Sequence, residues 1–219
     1  RFSAHLPGLD EPSVTPAGSL HGVTLHSGDI LVSLGCAPNS ALIARGNDFP
    51  GNFSHIALLH IDPATRAPVI IEAHIERGVA IAPFEEYVRN KKLRIMALRL
   101  RADLPALVAD PQLPHRAAAR ALADARARHI PYDFTMDYQE HSKLFCSEVA
   151  SAAYEQFGVT LWMGRSHISS TGLRAWLGFF GARHFETQEP ADLEYDPQFR
   201  VVAEWRAPGT LWQDHLDNA

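Results

Sequence analysis

The first half of the chain consists of short apolar runs separated by turn residues, and this pattern limits the class of fold. Runs of about four to eight apolar residues between Gly, Pro, Asn and Asp are typical of buried strands. Helical patterns concentrate in the second half, so strands and helices are segregated rather than alternating. The sequence therefore predicts an α+β fold, with a mostly antiparallel sheet packed by helices. The predicted strands cover residues 29–34, 54–61, 69–73, 78–83, 93–100 and 199–205.

The clearest helical pattern lies at residues 142–157. Leu144 and Val149 belong to an apolar set at helical spacing, and Gly158 follows as a stop signal. Ser142 is the predicted N-cap of this helix. Further helices are predicted at residues 40–45, 84–89 and 115–129.

Size and composition indicate one folded domain. The chain has 219 residues, of which 46% are hydrophobic, and this is enough for a substantial core. Residues 1–27 contain several Pro and Gly residues and show no sustained period, so we expect an irregular N-terminal arm there. Residues 28–219 then form the single domain that carries any functional site.

Charge and hydropathy argue against two classes of function. The 20 basic and 25 acidic residues give a formal net charge of -5, whereas a nucleic-acid binder needs a basic surface. No apolar run approaches the roughly 20 residues that span a bilayer. We therefore expect no nucleic-acid partner and no transmembrane segment. The sequence leaves the oligomeric state open.

Of the two cysteines, both predicted to be free thiols, Cys146 is the better candidate nucleophile. It falls in the first turn of the helix predicted at 142–157, where the helix dipole stabilises a thiolate and lowers the thiol pKa. The alternative is that Cys146 is a small buried apolar residue. Cys36 follows a strand and begins no helix, so we interpret it as a packing thiol or a loop residue near the cleft.

A nucleophilic thiol needs a base, and the base needs an orienting group. His55 and Glu72 are polar residues that interrupt two of the apolar strands. With a turn at Asp62–Thr65 the two strands pair as a hairpin in which Ile61 faces Arg66, and His55 then lies directly opposite Glu72 on the same face. The alternative for each residue is a solvent-facing position on a half-exposed strand.

The three positions lie within short motifs that occur in a fixed order. These are Gly28–Leu31, Asn52–Leu58, Ile70–Ala73 followed by Gly78-Val79, Pro131–Asp133, Leu144–Glu148 and Glu189–Leu193. The ordered set resembles the circularly permuted branch of the NlpC/P60 superfamily, the permuted papain-like cysteine hydrolases of the YiiX/YebB type. The resemblance covers most of residues 28–205. In ordinary papain-like chains the Cys comes first, whereas here it comes last.

The resemblance implies a papain-like half barrel, in which the Cys146 helix packs against the sheet that carries His55 and Glu72. It implies that Cys146 is the nucleophile, His55 the general base and Glu72 the orienting residue, with the backbone N–H of Cys146 meeting the oxyanion. Cleavage would pass through a thioester. Tyr132 and Ser54 are the predicted substrate-binding residues. The alternative for Tyr132 is an aromatic side chain that anchors its loop.

Three functions remain open at this stage. The preferred one is a cysteine amidase or peptidase acting on a peptide, a cell-wall peptide or an amino-acid amide. The second is a lipid thioesterase or acyltransferase that uses the same Cys-His site. An apolar cleft lined by Trp162, Trp176, Phe179 and Phe180 would favour it. The third is a non-catalytic binding module on the same scaffold, and the intact Cys, His and Glu argue against it.

No cofactor is expected, and without an HExxH or CxxC motif no metal site is expected either. The chain begins with Arg1 rather than Met, so we expect a trimmed N-terminus. The sequence leaves the compartment open between a bacterial cell envelope and the cytoplasm.

Overall fold

The structure, a computed structural model, describes residues 10–207 and the backbone of residues 4–7. Its strands are β1 Ala4–Pro7, β2 Ala17–Leu20, β3 Val23–His26, β4 Ile30–Gly35, β5 His55–Ile61, β6 Pro68–His74, β7 Gly78–Pro83, β8 Lys92–Leu100, β9 Ser166–His167, β10 Glu186–Thr187 and β11 Phe199–Arg206. Its helices are α1 Pro38–Arg45, α2 Phe84–Arg89, α3 Pro105–Ala109, α4 Leu113–Ala127, α5 Cys146–Glu155 and α6 Thr171–Phe179, with a 3-10 helix at Pro190–Tyr195. The predicted strands are confirmed to within one residue at each end.

Seven of the described strands form one sheet, in the order β1-β11-β8-β4-β5-β6-β7. Every neighbouring pair in this sheet is antiparallel. Helices α4 and α5 pack against β5 and against each other. The predicted α+β class, with a mostly antiparallel sheet packed by helices, is confirmed.

Both faces of the central strands are covered, and this explains why their sequences are continuous apolar runs rather than alternating ones. On one face, Ile30 and Val32 of β4 belong to a buried cluster with Tyr154 of α5 and residues of α4. On the other face, Leu31 belongs to a cluster with Leu25 of β3 and residues of α2. Burial of these side chains from water holds the layers together.

Part of the N-terminal segment is regular, so the expectation of an irregular arm is wrong for residues 4–7, 17–20 and 23–26, whereas residues 10–16 form no helix or strand. β1 adds an edge strand to the main sheet beside β11, and β2 and β3 form a hairpin. The hairpin turns at His21 and Gly22, whose φ angles are 48° and 83°, as in the tight two-residue turns that match strand twist. A His-Gly pair is a weaker turn signal than Asn-Gly, and the sequence alone does not reveal it. The division between an arm and a domain at residue 28 stays a prediction.

Helix α5 begins at Cys146, so the N-cap predicted at Ser142 is wrong. Leu144 instead pairs with the loop at 131–133, donating its N–H to one carbonyl there and accepting an N–H with its own carbonyl. These bonds keep the backbone extended as far as Phe145, which becomes the N-cap. The non-local pairing therefore removes the first predicted turn and leaves Cys146 as the first helical residue.

The β5–β6 hairpin pairs two residues away from the predicted register. Ile61 faces Pro68 rather than Arg66, because the connecting turn is longer than predicted. A shift of two residues keeps every side chain on its predicted face of the sheet. His55 and Glu72 therefore still share one face, although they are not directly opposite.

A buried ion pair joins the start of β4 to β8. Arg99 donates two hydrogen bonds to Asp29, from Nε to Oδ1 and from Nη2 to Oδ2, each 2.8 Å long. The two side chains are only 9% and 2% exposed. Arg99 also donates to the backbone carbonyls of Glu11 and Thr24. The pair therefore ties the N-terminal segment to the sheet.

Candidate active site

A cavity of about 540 Å³ opens beside the first residue of α5. Cys146, His55, Tyr132 and Ser54 all line it. Glu72 is 3% exposed and contacts His55 from within the protein. The structure therefore brings all the predicted site residues to one place, and their catalytic and binding roles stay predictions.

The Glu72 carboxylate lies between two histidines. Its Oε2 accepts a hydrogen bond from Nε2 of His55 at 2.7 Å, and its Oε1 lies 3.0 Å from Nε2 of His74. Burial disfavours the charged form of Glu72, but the contacts with His55 and His74 outweigh it and hold the pKa of this carboxyl well below its ordinary value. Glu72 is therefore ionised and able to orient an imidazole.

His55 is a neutral imidazole in this environment. Burial lowers the pKa of His55 below its ordinary value of 6.5, and Lys92 and His74 add to this effect, whereas Glu72 opposes it. We assign the ring proton to Nε2 because that nitrogen donates to Glu72. The other nitrogen, Nδ1, is then the one that can accept a proton.

Cys146 opens α5, where the first N–H groups of the helix have no intrahelical acceptor. The expectation that the helix start lowers the thiol pKa is wrong, because burial raises the pKa of the Cys146 thiol to about 11. Hydrogen bonds from the Ile56 backbone and from Ser147 offset only part of this effect. In the resting protein Cys146 is therefore a protonated thiol that shares the cavity with a neutral imidazole.

Cys36 lines the same cavity but is exposed. This agrees with its interpretation as a loop residue near the cleft. Both cysteines are free thiols, as predicted. Because the two thiols share one cavity and differ in burial, Cys36 is an internal reference for any alkylation of Cys146.

The loop before α5 holds Tyr132 at the cavity. Tyr132 bridges to Leu144 and packs edge-on against Phe134, with ring centroids 5.1 Å apart. Burial, together with the nearby Cys146, raises the pKa of Tyr132 well above its ordinary range, so its hydroxyl stays protonated. Ser54 is nearly buried, and its hydroxyl lies 3.5 Å from the Ser33 carbonyl.

The aromatic residues expected in an apolar cleft fall into two groups. Trp176 and Phe180 line the cavity. Trp162 lies in the core instead, and Phe179 is 85% exposed without lining the cavity. The prediction is therefore correct for two of the four residues, which give the cavity an apolar wall on α6.

The polar residues of the cavity that were not predicted as site residues include His74, Gln188 and Glu189. His74 follows Glu72 by two residues in a strand, so the strand period of two could have identified it. Gln188 accepts a hydrogen bond from Ser151 of α5. Burial raises the pKa of Glu189 to about 8. Both residues lie in a segment of no regular period. Glu189 begins the Glu189–Leu193 motif, but no local signal marks Gln188.

Two further observations concern membranes and metals. None of the described helices is long and apolar enough to cross a bilayer. Within the same described residues, no group of three or more His, Cys, Asp or Glu side chains is arranged to hold a metal ion.

Comparisons with known proteins agree with this geometry. Residues 24–203 match the family described as permuted papain-like amidase enzyme, YaeF/YiiX, C92 family. No curated protein matches the chain significantly. One similar solved structure is that of the metalloprotein yiiX from Escherichia coli O157:H7, at 18% identity and a TM-score of 0.61, over 80% of this chain and 95% of that chain. At 18% identity, this structural similarity is evidence for the fold alone.

The comparisons confirm the permuted papain-like part of the resemblance and its YiiX branch, whereas the wider NlpC/P60 assignment stays a prediction. The family match covers most of the chain and includes the segments that carry His55, Glu72 and Cys146. The chain therefore belongs to the YaeF/YiiX (C92) family of permuted papain-like amidases, and it is a cysteine hydrolase.

Proposed function

We propose that the protein hydrolyses an amide bond in a peptide, a cell-wall peptide or an amino-acid amide, with Cys146 as nucleophile, His55 as general base and Glu72 as orienting residue. The observation that supports this most is the 2.7 Å hydrogen bond between His55 and Glu72 in the wall of the cavity that Cys146 also lines. A thiol, an imidazole and a carboxylate in this order form the arrangement that activates a cysteine.

In the first half of the reaction, His55 Nδ1 takes the Cys146 proton as the sulfur attacks the carbonyl carbon. The Glu72 carboxylate stabilises the imidazolium that forms. The oxyanion is met by the backbone N–H of Cys146, at the helix end where partial positive charge favours an anion. The C–N bond then breaks, His55 returns its proton to the leaving amine, and a thioester remains on Cys146.

In the second half, His55 takes a proton from water as the water oxygen attacks the thioester carbon. The C–S bond breaks, the carboxylic acid leaves, and the proton returns to the Cys146 sulfur. In both halves every transferred proton passes through His55. Tyr132 and Ser54 are proposed to contact the substrate, because both line the cavity and the Tyr132 hydroxyl is available as a donor.

The acid limb of the pH profile of kcat/KM is expected below pH 6.5. A general base works only when it is unprotonated, and burial lowers the pKa of His55 from 6.5. The ring therefore stays neutral to lower pH, and activity is lost only as pH falls through the lowered pKa. Rates measured on one amide substrate from acid to neutral pH give the midpoint. A midpoint above 6.5 would contradict a buried neutral base.

The proposed function is tested by incubating the protein with a panel of short peptide amides and long-chain acyl esters. We expect amide turnover, an acyl adduct on Cys146 detected by mass spectrometry, and protection of Cys146 from iodoacetamide by the amides. Cys146→Ala should abolish turnover and adduct together. Cys36→Ala is the matched control and should retain both. Turnover that survives Cys146→Ala would overturn the proposal.

A second candidate function, acyl-ester or acyl-transfer chemistry on a lipid, is favoured by the apolar wall that Trp176 and Phe180 form in the cavity. The same panel separates the two candidates. Protection of Cys146 by acyl esters alone would move the substrate class to lipids and leave the Cys–His mechanism in place. Protection by amides alone would retain the preferred function.

A further inference from the structure

His74 is a cavity residue to which the proposed mechanism gives no role. It follows Glu72 by two residues on β6, so the two side chains lie on the same face of the sheet. Continuing the β5–β6 register beyond its paired residues sets His74 level with His55. The two imidazole rings stack, with centroids 5.7 Å apart and planes 28° apart. His74 therefore contacts both His55 and Glu72.

Contacts with His74 and His55 hold the Glu72 carboxylate at both oxygens. Oε2 accepts from His55 at 2.7 Å. Oε1 lies 3.0 Å from Nε2 of His74, a buried nitrogen with no aligned hydrogen-bond partner among the described residues. A carboxylate held at one oxygen can rotate about its terminal bond. A second contact at Oε1 fixes its plane, and supporting contacts of this kind keep catalytic groups in productive geometry.

His74 also affects the charge of His55. The charged and titratable groups around His55 and Glu72 come from four elements: His74 of β6, Tyr87 of α2, Lys92 at the start of β8 and Cys146 of α5. Positive charge on His74 or Lys92 disfavours a second positive charge on His55 and so lowers the pKa of His55. A neutral side chain at position 74 would remove one of these two influences.

We propose that His74 is a positioning residue of the cysteine site. It fixes the plane of the Glu72 carboxylate and thereby the orientation of His55, and a positive charge on its ring, which stacks on the His55 ring, opposes a second positive charge there. The proposal rests on the proposed roles of Cys146, His55 and Glu72, and it adds a fourth residue that acts through Glu72 and His55.

The test uses iodoacetamide as the probe, because no substrate is needed. The alkylation rate of Cys146 is measured by peptide mass spectrometry from acid to neutral pH in wild type, His74→Ala and His74→Gln, with Cys36 as the reference in each sample. Alanine removes both the contact with Glu72 and the charge. Glutamine keeps a donor near the position of Nε2 but carries no charge. His129→Ala, an exposed histidine outside the cavity, is the matched control.

In His74→Ala we expect the plateau rate of Cys146 alkylation to fall by about three- to tenfold, the size of effect that one ordinary polar contact produces. We expect the acid midpoint to move to higher pH, because repulsion of the His55 charge is lost. In His74→Gln the plateau rate of Cys146 alkylation should recover, while the pH midpoint should stay shifted to higher pH. Cys36 rates and His129→Ala should match wild type.

The proposal would be overturned if the pH midpoint of Cys146 alkylation is unshifted in both His74 variants, or if the plateau rate of alkylation falls equally in both. The second result would show that histidine at this position has only a packing role. His55→Ala separates this inference from the proposed function. If His55→Ala leaves the rate of Cys146 alkylation unchanged, the assignment of His55 as the base is wrong. If His55→Ala lowers this rate strongly while both His74 variants behave as wild type, only the role of His74 is wrong.

Discussion

Replacing His55 by alanine is expected to lower kcat/KM for the best amide substrate by about 10²–10⁴-fold, the usual contribution of a general acid–base group. The reason is specific to this site. Burial raises the pKa of the Cys146 thiol to about 11, so almost no thiolate exists at neutral pH without a proton acceptor. Steady-state kinetics measure the loss, and thermal unfolding shows that the fold is retained.

Two variants calibrate this result. Glu72→Gln is expected to cost less than His55→Ala, because the amide keeps one oxygen acceptor for one of the two histidines that Glu72 contacts. His60→Ala is the control, since His60 is a buried histidine of the same strand that lies outside the cavity. A His55→Ala protein that retains more than about a tenth of the wild-type kcat/KM would exclude His55 as the base.

Asp29→Ala is expected to lower the free energy of unfolding by about 3–5 kcal/mol, the typical cost of leaving one member of a buried ion pair alone. The variant leaves the Arg99 guanidinium, 9% exposed, without the carboxylate that accepts two of its hydrogen bonds. A domain is stable by only about 5–15 kcal/mol, so this change is a large fraction of the total. Urea unfolding followed by fluorescence measures it.

The matched control is Asp103→Ala, which removes the partner of Arg101 in an exposed pair. Water and side-chain entropy cancel most of the energy of such a pair, so little change in stability is expected. Equal effects of Asp29→Ala and Asp103→Ala would show that burial of the Arg99 pair does not matter. Asp29→Asn keeps the shape of the side chain and should lie between wild type and Asp29→Ala.

Strand positions can be predicted from the sequence because the apolar run that forms a strand and the turn residues that end it are both local features. The run at β5 is apolar except for His55 and His60, and its end is marked by Asp62-Pro63. The start of α5 is different, since the segment before Cys146 has a helical pattern but its backbone pairs with residue 132. This non-local backbone pairing overrides the local helix propensity, and residues 142–145 alone do not predict it.

The part of the candidate site that depends on the alternation of side chains along a strand was predictable from the sequence. The hairpin register was wrong by two residues, yet His55 and Glu72 stay on one face because side chains alternate with a period of two. The thiol pKa was not predictable, because it depends on how deeply Cys146 is buried in the folded protein. Cavity residues such as Gln188 come from a segment with no period, and only the fold brings them to the site.

The pairing of Ala4 with Arg206 at the edge of the sheet places the two ends of the fold side by side. A short linker between these residues would close the backbone into a ring, and a new opening in the exposed turn at 139–143 would put the cysteine helix at the start of the chain. The histidine and the carboxylate would then follow it, as in ordinary papain-like chains. The order of segments is thus separable from the proposed chemistry, because the packing of α5 on β5, and not the connectivity, brings Cys146 and His55 to one cavity.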